Sequence, residues 1–169
     1  MKRTLIISGA LLALAGFTLG HDIDRADGNP QAGQQQAAEH IRGTVDVYGY
    51  VTNPQFLYTL RPALVGRDLH LTLMYTDHTA GTYSVMFSSV AQPDGPYVSI
   101  MGGPACQIMI GAVDFVLGPF AHDGVQSDLT IAIPANPALL GRSWFAQAIV
   151  TGGFVDLSSA VGGVIGNYM

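Results

Sequence analysis

Hydrophobic and polar residues alternate most cleanly over residues 67–76. Leu69, Leu71, Leu73 and Tyr75 fall on one face, and Asp68, His70, Thr72 and Met74 on the other. Period-two alternation predicts a half-buried β-strand. The same rhythm returns at Tyr83, Val85 and Phe87, and again at Leu129, Ile131 and Ile133. Asp77-His78-Thr79-Ala80-Gly81 is read as a hairpin loop joining the first two of these strands. Residues 143–151 differ, because their apolar run is nearly continuous. Trp144 and Phe145 have opposite parity there, so one of them faces outward or toward a second sheet.

Turn chemistry divides the remainder. Asn53-Pro54, Gln92-Pro93-Asp94-Gly95-Pro96, Gly102-Gly103-Pro104, His122-Asp123-Gly124 and Gly152-Gly153 each mark a reversal. Strands are expected at 45–48, 56–60, 97–101, 154–157 and 160–165, with one or two more within 107–117 and Gly111 as a bulge. About nine or ten short strands at this spacing predict an all-β fold, a single antiparallel β-sandwich that is jelly-roll-like, over residues 44–169. One internal echo stands out. Pro62-Ala63-Leu64-Val65-Gly66-Arg67 and Pro137-Ala138-Leu139-Leu140-Gly141-Arg142 share Pro-Ala-Leu-x-Gly-Arg, each directly before an apolar strand. It reads either as a duplicated corner or as one connector used twice.

The N-terminal 20 residues read as a signal peptide. Lys2 and Arg3 precede an apolar run from Leu5 to Leu19, and a cut after Gly20 releases His21. That run is shorter than the roughly 20 residues a spanning helix needs. Residues 21–43 are polar and turn-rich and read as a flexible linker. The expected location is therefore outside the cytoplasm: extracellular, periplasmic or at the cell surface, with no membrane span after cleavage. The processed chain carries five arginines, no lysine and twelve acids, a net charge of −7. Such a balance argues against nucleic acid, which demands basic patches. Charged residues make up only 11%, against roughly 25% in typical soluble domains, which speaks against a helical bundle.

Candidate chemistry is sparse. Gly141-Arg142-Ser143-Trp144-Phe145 begins like a nucleophile elbow but opens a strand, so Ser143 reads as structural. A glycosidase needs two carboxylates flanking a cleft. The sole Glu39 lies in the linker, and Asp68, Asp77, Asp94, Asp114, Asp123, Asp128 and Asp156 look like turn formers with no pair singled out. Asp22-x-Asp24-x-x-Asp27-Gly28 imitates part of a calcium loop without the spacing or the downstream Glu. His70, His78 and His122 would form a metal site only by converging. A free His21 amine and imidazole could chelate copper. Tyr48, Tyr50, Tyr58, Tyr97 and Tyr168 offer aromatic surface for a glycan. Cys106 reads as a small buried hydrophobe, with intermolecular pairing as the alternative. No catalytic, cofactor or metal residue is assigned.

The stretch Ile133-Pro134-Ala135-Asn136-Pro137-Ala138-Leu139-Leu140-Gly141-Arg142-Ser143-Trp144-Phe145-Ala146-Gln147-Ala148 resembles the closing motif of a domain common in exported bacterial proteins of unknown function. That motif runs Ile-Pro-Asn-x-Pro-Ala-Leu-x-Gly, followed by an aromatic and Gln-Ala. Tyr48-Gly49, Asn53-Pro54 and Leu64-Val65-Gly66 are similar to the opening of the domain. The resemblance spans residues 44–166 and implies an exported β-sandwich. Members often carry paired cysteines, where this chain has only Cys106. It brings no catalytic residues.

Three functions are therefore weighed. The first is a non-enzymatic exported structural or interaction module, contacting a surface, a matrix or a protein or glycan partner, and open to homo-oligomerisation. The second is a carbohydrate- or small-ligand-binding module using the tyrosines. The third is a metal-dependent enzyme using His21 or the loop histidines.

Overall fold

The structure is a computed structural model that describes residues 5–6, 41–48, 53–75, 77–100 and 103–167. In chain order the strands are β1 (Leu5–Ile6), β2 (Asp46–Tyr48), β3 (Leu57–Tyr58), β4 (Asp68–Met74), β5 (Gly81–Ser88), β6 (Tyr97–Ser99) and β7 (Ala105–Gln107). They continue with β8 (Phe115–His122), β9 (Gln126–Ala132), β10 (Ser143–Gly152), β11 (Phe154–Leu157) and β12 (Ala160–Val164). One 3-10 turn, Pro137–Leu139, precedes β10. One sheet has the order β1-β9-β4-β3, and a second the order β2-β12-β10-β5-β8 with β11 added to β10. Pairing is antiparallel except for the short β1–β9 contact. Among the described residues, no helix is long and apolar enough to cross a membrane.

The chain is an antiparallel β-sandwich. Leu69, Leu71, Leu73 and Leu129 from one sheet meet Tyr83, Val85, Ala146, Ala148, Val150 and Val161 from the other in one buried cluster. The alternation in β4 and β5 is obeyed, because every residue of both predicted apolar sets is buried. The hairpin between them is not formed. β4 pairs with β3 and β9, whereas β5 pairs with β8 and β10. Residues 77–80 instead carry the chain across from one sheet to the other. Tight hairpins most often use a two-residue turn of the Asn-Gly kind; this longer connection lets the two apolar faces oppose one another across the core. β8 and β9 make the matching crossing, so the β4–β5 and β8–β9 segments form one paired ribbon folded over the core, the jelly-roll-like feature.

Two other expectations change. Residues 108–114 form no strand beyond a single bridge from Ile110 to Ala91. Gly111 lies in a bend, donating its N–H to Val90 O (2.8 Å). The register shift is elsewhere, between Tyr83 and Val85 on β5. The strand expected to stop at Leu117 runs on to His122 through Pro119, which an edge strand tolerates.

The echoed connectors adopt one turn. Arg67 N–H donates to Leu64 O and Arg142 N–H to Leu139 O, both at 3.1 Å. Gly66 and Gly141 have φ of 72° and 74°, and Leu140 sits at φ −60°, ψ 134°. These are type II turns, which need the positive φ that glycine adopts without steric cost. The two turns grip the same closing segment: Val65 N–H donates to Gly166 O and Gly141 N–H to Ile165 O, both at 2.9 Å. β4 departs from one and β10 from the other, so both strands run from this end toward the opposite one.

β10 is buried on both faces. Trp144 (7% exposed) joins the inner core, and Phe145 (8%) joins a second cluster with Met109, Ile110 and Ala160. The outer cover is the excursion between β5 and β8, which contains the β6–β7 pair. A clamp of buried amides fastens it. Gln147, fully buried on β10, donates to Gln107 O (2.9 Å) and Ser158 O (2.8 Å) and accepts from Met109 N–H (3.0 Å). Asn53 donates to the same two carbonyls (2.7 and 2.9 Å) and accepts from Gln107 N–H (2.7 Å). Such groups would cost several kcal/mol if buried without partners; here each is used.

Candidate functional site

The ends of β4, β8 and β10 and the start of β11 meet where the folded ribbon bends. Gly152 makes the approach possible: a Cβ there would lie 2.2 Å from Thr79 O. His122, the last residue of β8, ties three of these elements together. Its Nε2 lies 2.7 Å from Thr151 O, and its Nδ1 lies 3.1 Å from Gly124 N. A carbonyl only accepts and an amide N–H only donates, so these partners select the neutral ring with the proton on Nε2. The ring stacks on Tyr75 at 4.0 Å. Burial raises the Tyr75 phenol far above its ordinary range, keeping it neutral.

His78 occupies the same corner. Its ring stands edge-on to Phe56 at 5.8 Å and tilted against Phe154 at 4.5 Å. Its Nδ1 is buried with no hydrogen-bond partner among the described residues. Burial holds its pKa below the ordinary imidazole value, outweighing the upward pull of Asp156 and Asp77; His122 adds to the downward side. The ring is therefore neutral at pH 7.

Asp156 is 6% exposed. Its Oδ1 accepts from the Cys106 thiol and from Leu157 N–H, both at 2.8 Å. Burial, reinforced by the bond to Asp156, pushes the Cys106 thiol up to about 11. The thiol stays protonated at neutral pH, and since the thiolate is the nucleophile, Cys106 is unreactive there. Phe56, Tyr75, Asp77, His78, Phe154 and Asp156 are the main walls of a cleft of about 40 Å³. Sites for drug-sized ligands run to roughly 300–1,000 Å³, so this one is far smaller.

The structure thus brings His78 and His122 together and leaves His70 apart. His70 faces outward near the start of β4, bonded to Thr130 Oγ1 at 3.1 Å. Among the described residues no group of three or more His, Cys, Asp or Glu is arranged to hold a metal ion. Ser143 is exposed at the first position of β10, in register with Val164. Tyr58 is half-buried, its hydroxyl donating to Gln55 O, and Tyr97 is exposed on β6, in a different sheet. His21, Asp22, Asp24, Asp27, Glu39, Tyr50 and Tyr168, and all of the expected signal peptide but Leu5–Ile6, lie outside the described residues, as does the Tyr48 side chain.

Sequence reasoning passed over Asp156, which reads as a strand-end turn former and is instead buried inside β11. It also gave no reason to place Phe56 and Phe154 beside His78. No protein family, curated protein or solved structure matches the chain.

Proposed function

We propose that this chain is a non-enzymatic, exported interaction module that works by contact, including contact with a second copy of itself. The observation that carries the reading is a sheet edge with no neighbouring strand among the described residues. β8 is the last strand of its sheet, spans eight residues and contains no Asp, Glu, Lys or Arg. Val116 (51% exposed) lies on it, and Val113 (47%) and Val90 (56%) lie at the same end. Unpaired strand edges are templates for pairing, and natural proteins blunt them with charge, proline or bulges; β8 carries Pro119 but no charge. The N-terminal apolar run behind Lys2-Arg3 and the resemblance to exported β-sandwich domains support the export half of the reading.

Multi-angle light scattering on protein recovered after export tests the association. A concentration-dependent dimer or larger species is expected, and Val116→Lys should return it to monomer. A parent protein that stays monomeric at all concentrations, or association indifferent to Val116→Lys, sinks the β8 assignment. A second reading, a small-ligand-binding module, is favoured by the unpaired polar atoms of the corner cleft rather than by the tyrosines.

A further inference from the structure

We propose that His122 is the pin of an acid-sensitive latch: it closes the corner where the chain crosses between the sheets at neutral pH, and its protonation opens that corner while the rest of the sandwich stays folded. The inference goes beyond the contact reading and does not depend on it.

The latch acts on backbone groups. At this end the chain crosses between the sheets through residues 77–80 and again through residues 123–125. The two crossings touch, since a Cβ at Gly124 would lie 2.9 Å from His78 O. The turn between β10 and β11 leans on the first crossing: Thr79 N–H donates to Gly152 O (3.3 Å) and Thr82 N–H to Thr151 Oγ1 (3.0 Å). His122 joins the second crossing to that turn, because its Nε2–H donates to Thr151 O while its Nδ1 accepts from Gly124 N–H. Only the neutral ring does both. The imidazolium carries N–H on both nitrogens, so a protonated Nδ1 would face the Gly124 N–H donor to donor at 3.1 Å. One of the two has to leave, and a buried donor without an acceptor is costly.

The groups around the ring set the response to acid. β4 presents Tyr75, stacked on His122, and β5 adds Tyr83, tilted against Tyr75 at 6.2 Å. Burial raises both phenols above their ordinary value, so neither carries charge here. β10 presents the Thr151 carbonyl. The first crossing presents His78, whose buried Nδ1 has no hydrogen-bond partner among the described residues and whose ring burial keeps neutral. Acid would put two positive rings in one corner. Asp156 of β11 and Asp77 pull the His78 ring toward its charged form, but burial outweighs them. Asp123, beside His122, is exposed, and its Oδ1 accepts from Val125 N–H at 3.0 Å. That bond lowers its pKa, so it stays ionised at pH 5 and above. The closed corner thus resists protons that the open one accepts. Its stability is present above the ordinary imidazole value and is lost as pH falls through the lowered value of His78.

The test follows amide exchange and the imidazole rings of the full chain by NMR between pH 7.5 and pH 5, with exchange corrected for its intrinsic pH dependence. At pH 7.5 the His122 proton should sit on Nε2. On acidification the amides of Thr79, Thr82 and Gly124 should lose protection by about tenfold or more, in step with protonation of His122. The Gln107 and Met109 amides, held by Asn53 and Gln147, should keep theirs. His122→Asn offers Gly124 N–H an acceptor, as in an Asx turn, that takes no proton in this range. It should shrink the fall, and adding His78→Phe should abolish it. The proposal is overturned by corner protection indifferent to pH, by an equal loss at Gln107 and Met109, or by an undiminished fall in His122→Asn. Should that variant fail to fold, the parent decides: opening in step with His122 protonation upholds the latch, and opening ahead of it overturns it.

Discussion

Two groups of buried polar side chains lie almost side by side in this sandwich and are built on opposite principles. In the amide clamp, Asn53 and Gln147 share the carbonyls of Gln107 and Ser158 and take up the N–H groups of Gln107 and Met109. In the histidine corner, one residue on from Asn53 at Pro54 and two back from Ser158 at Asp156, His78 Nδ1 is buried beside a cleft with no hydrogen-bond partner among the described residues. A satisfied network makes a structure specific, whereas a half-satisfied one weakens it. The clamp therefore reads as architecture. The corner carries a cost that architecture alone does not explain, and such costs gather where a protein meets a ligand.

The sharpest way to break this comparison is to remove the clamp. Gln147→Ala strands Met109 N–H and opens a cavity, and should cost about 2–4 kcal/mol. Asn53→Ala strands Gln107 N–H, for about 2–3 kcal/mol. In each single variant the Gln107 and Ser158 carbonyls keep one amide; in the double variant they lose both. Urea melts of the four proteins should therefore show the double variant destabilised beyond the sum of the singles by about 1 kcal/mol or more. Simple additivity would mean that the two amides do not act as a unit.

Next in size is an alkaline effect at the junction of the two groups. The folded Cys106 thiol titrates above its ordinary value of 9.0, at about 11. A folded pKa that is raised means the native state holds the proton more firmly than the unfolded chain. The stabilisation is full below pH 9 and is lost as pH rises through about 11, a loss on the order of 1 kcal/mol. Thermal melts from pH 8 to 11 should show the decline, and Cys106→Ala should flatten it. At pH 8 the native thiol should also resist alkylation by iodoacetamide, and rapid labelling of the folded protein would contradict the Cys106–Asp156 hydrogen bond.

Legibility in the sequence followed the same division. Period-two alternation located β4, β5 and β9, because a strand between core and solvent must write its two faces into alternate positions. The Pro-Ala-Leu-x-Gly-Arg echo was visible as a pattern, and its meaning is a type II turn used twice, in front of strands of different sheets. The false hairpin between β4 and β5 shows the limit: alternation says which side chains point inward, but not which strand lies alongside. Trp144 and Phe145 revealed by parity that β10 has two occupied faces, while the cover over Phe145 comes from an excursion with no comparable periodicity. The corner was least legible. His78 and His122 lie 44 positions apart, and only the fold of the ribbon brings them together. Asp156 gave no signal, because a single carboxylate in a four-residue strand resembles any other strand-end acid.

The smallest stability effect tests the comparison most directly. His78→Phe keeps a ring between Phe56 and Phe154 and deletes the buried Nδ1 that has no partner. If the histidine served the fold, its loss would destabilise; removing an unsatisfied buried polar atom in favour of an apolar group of similar shape is close to neutral. The variant should melt within about 0.5 kcal/mol of the parent at pH 7.5. It should also gain resistance to acid. The His78 pKa is lowered on folding, so its contribution is present above the ordinary imidazole value and is lost as pH falls through the folded one; phenylalanine has no such step. A variant equally stable at pH 7.5 and more stable at pH 5 would show that the fold does not need the His78 imidazole. A loss of several kcal/mol at pH 7.5 would instead place the corner alongside the clamp as part of the frame.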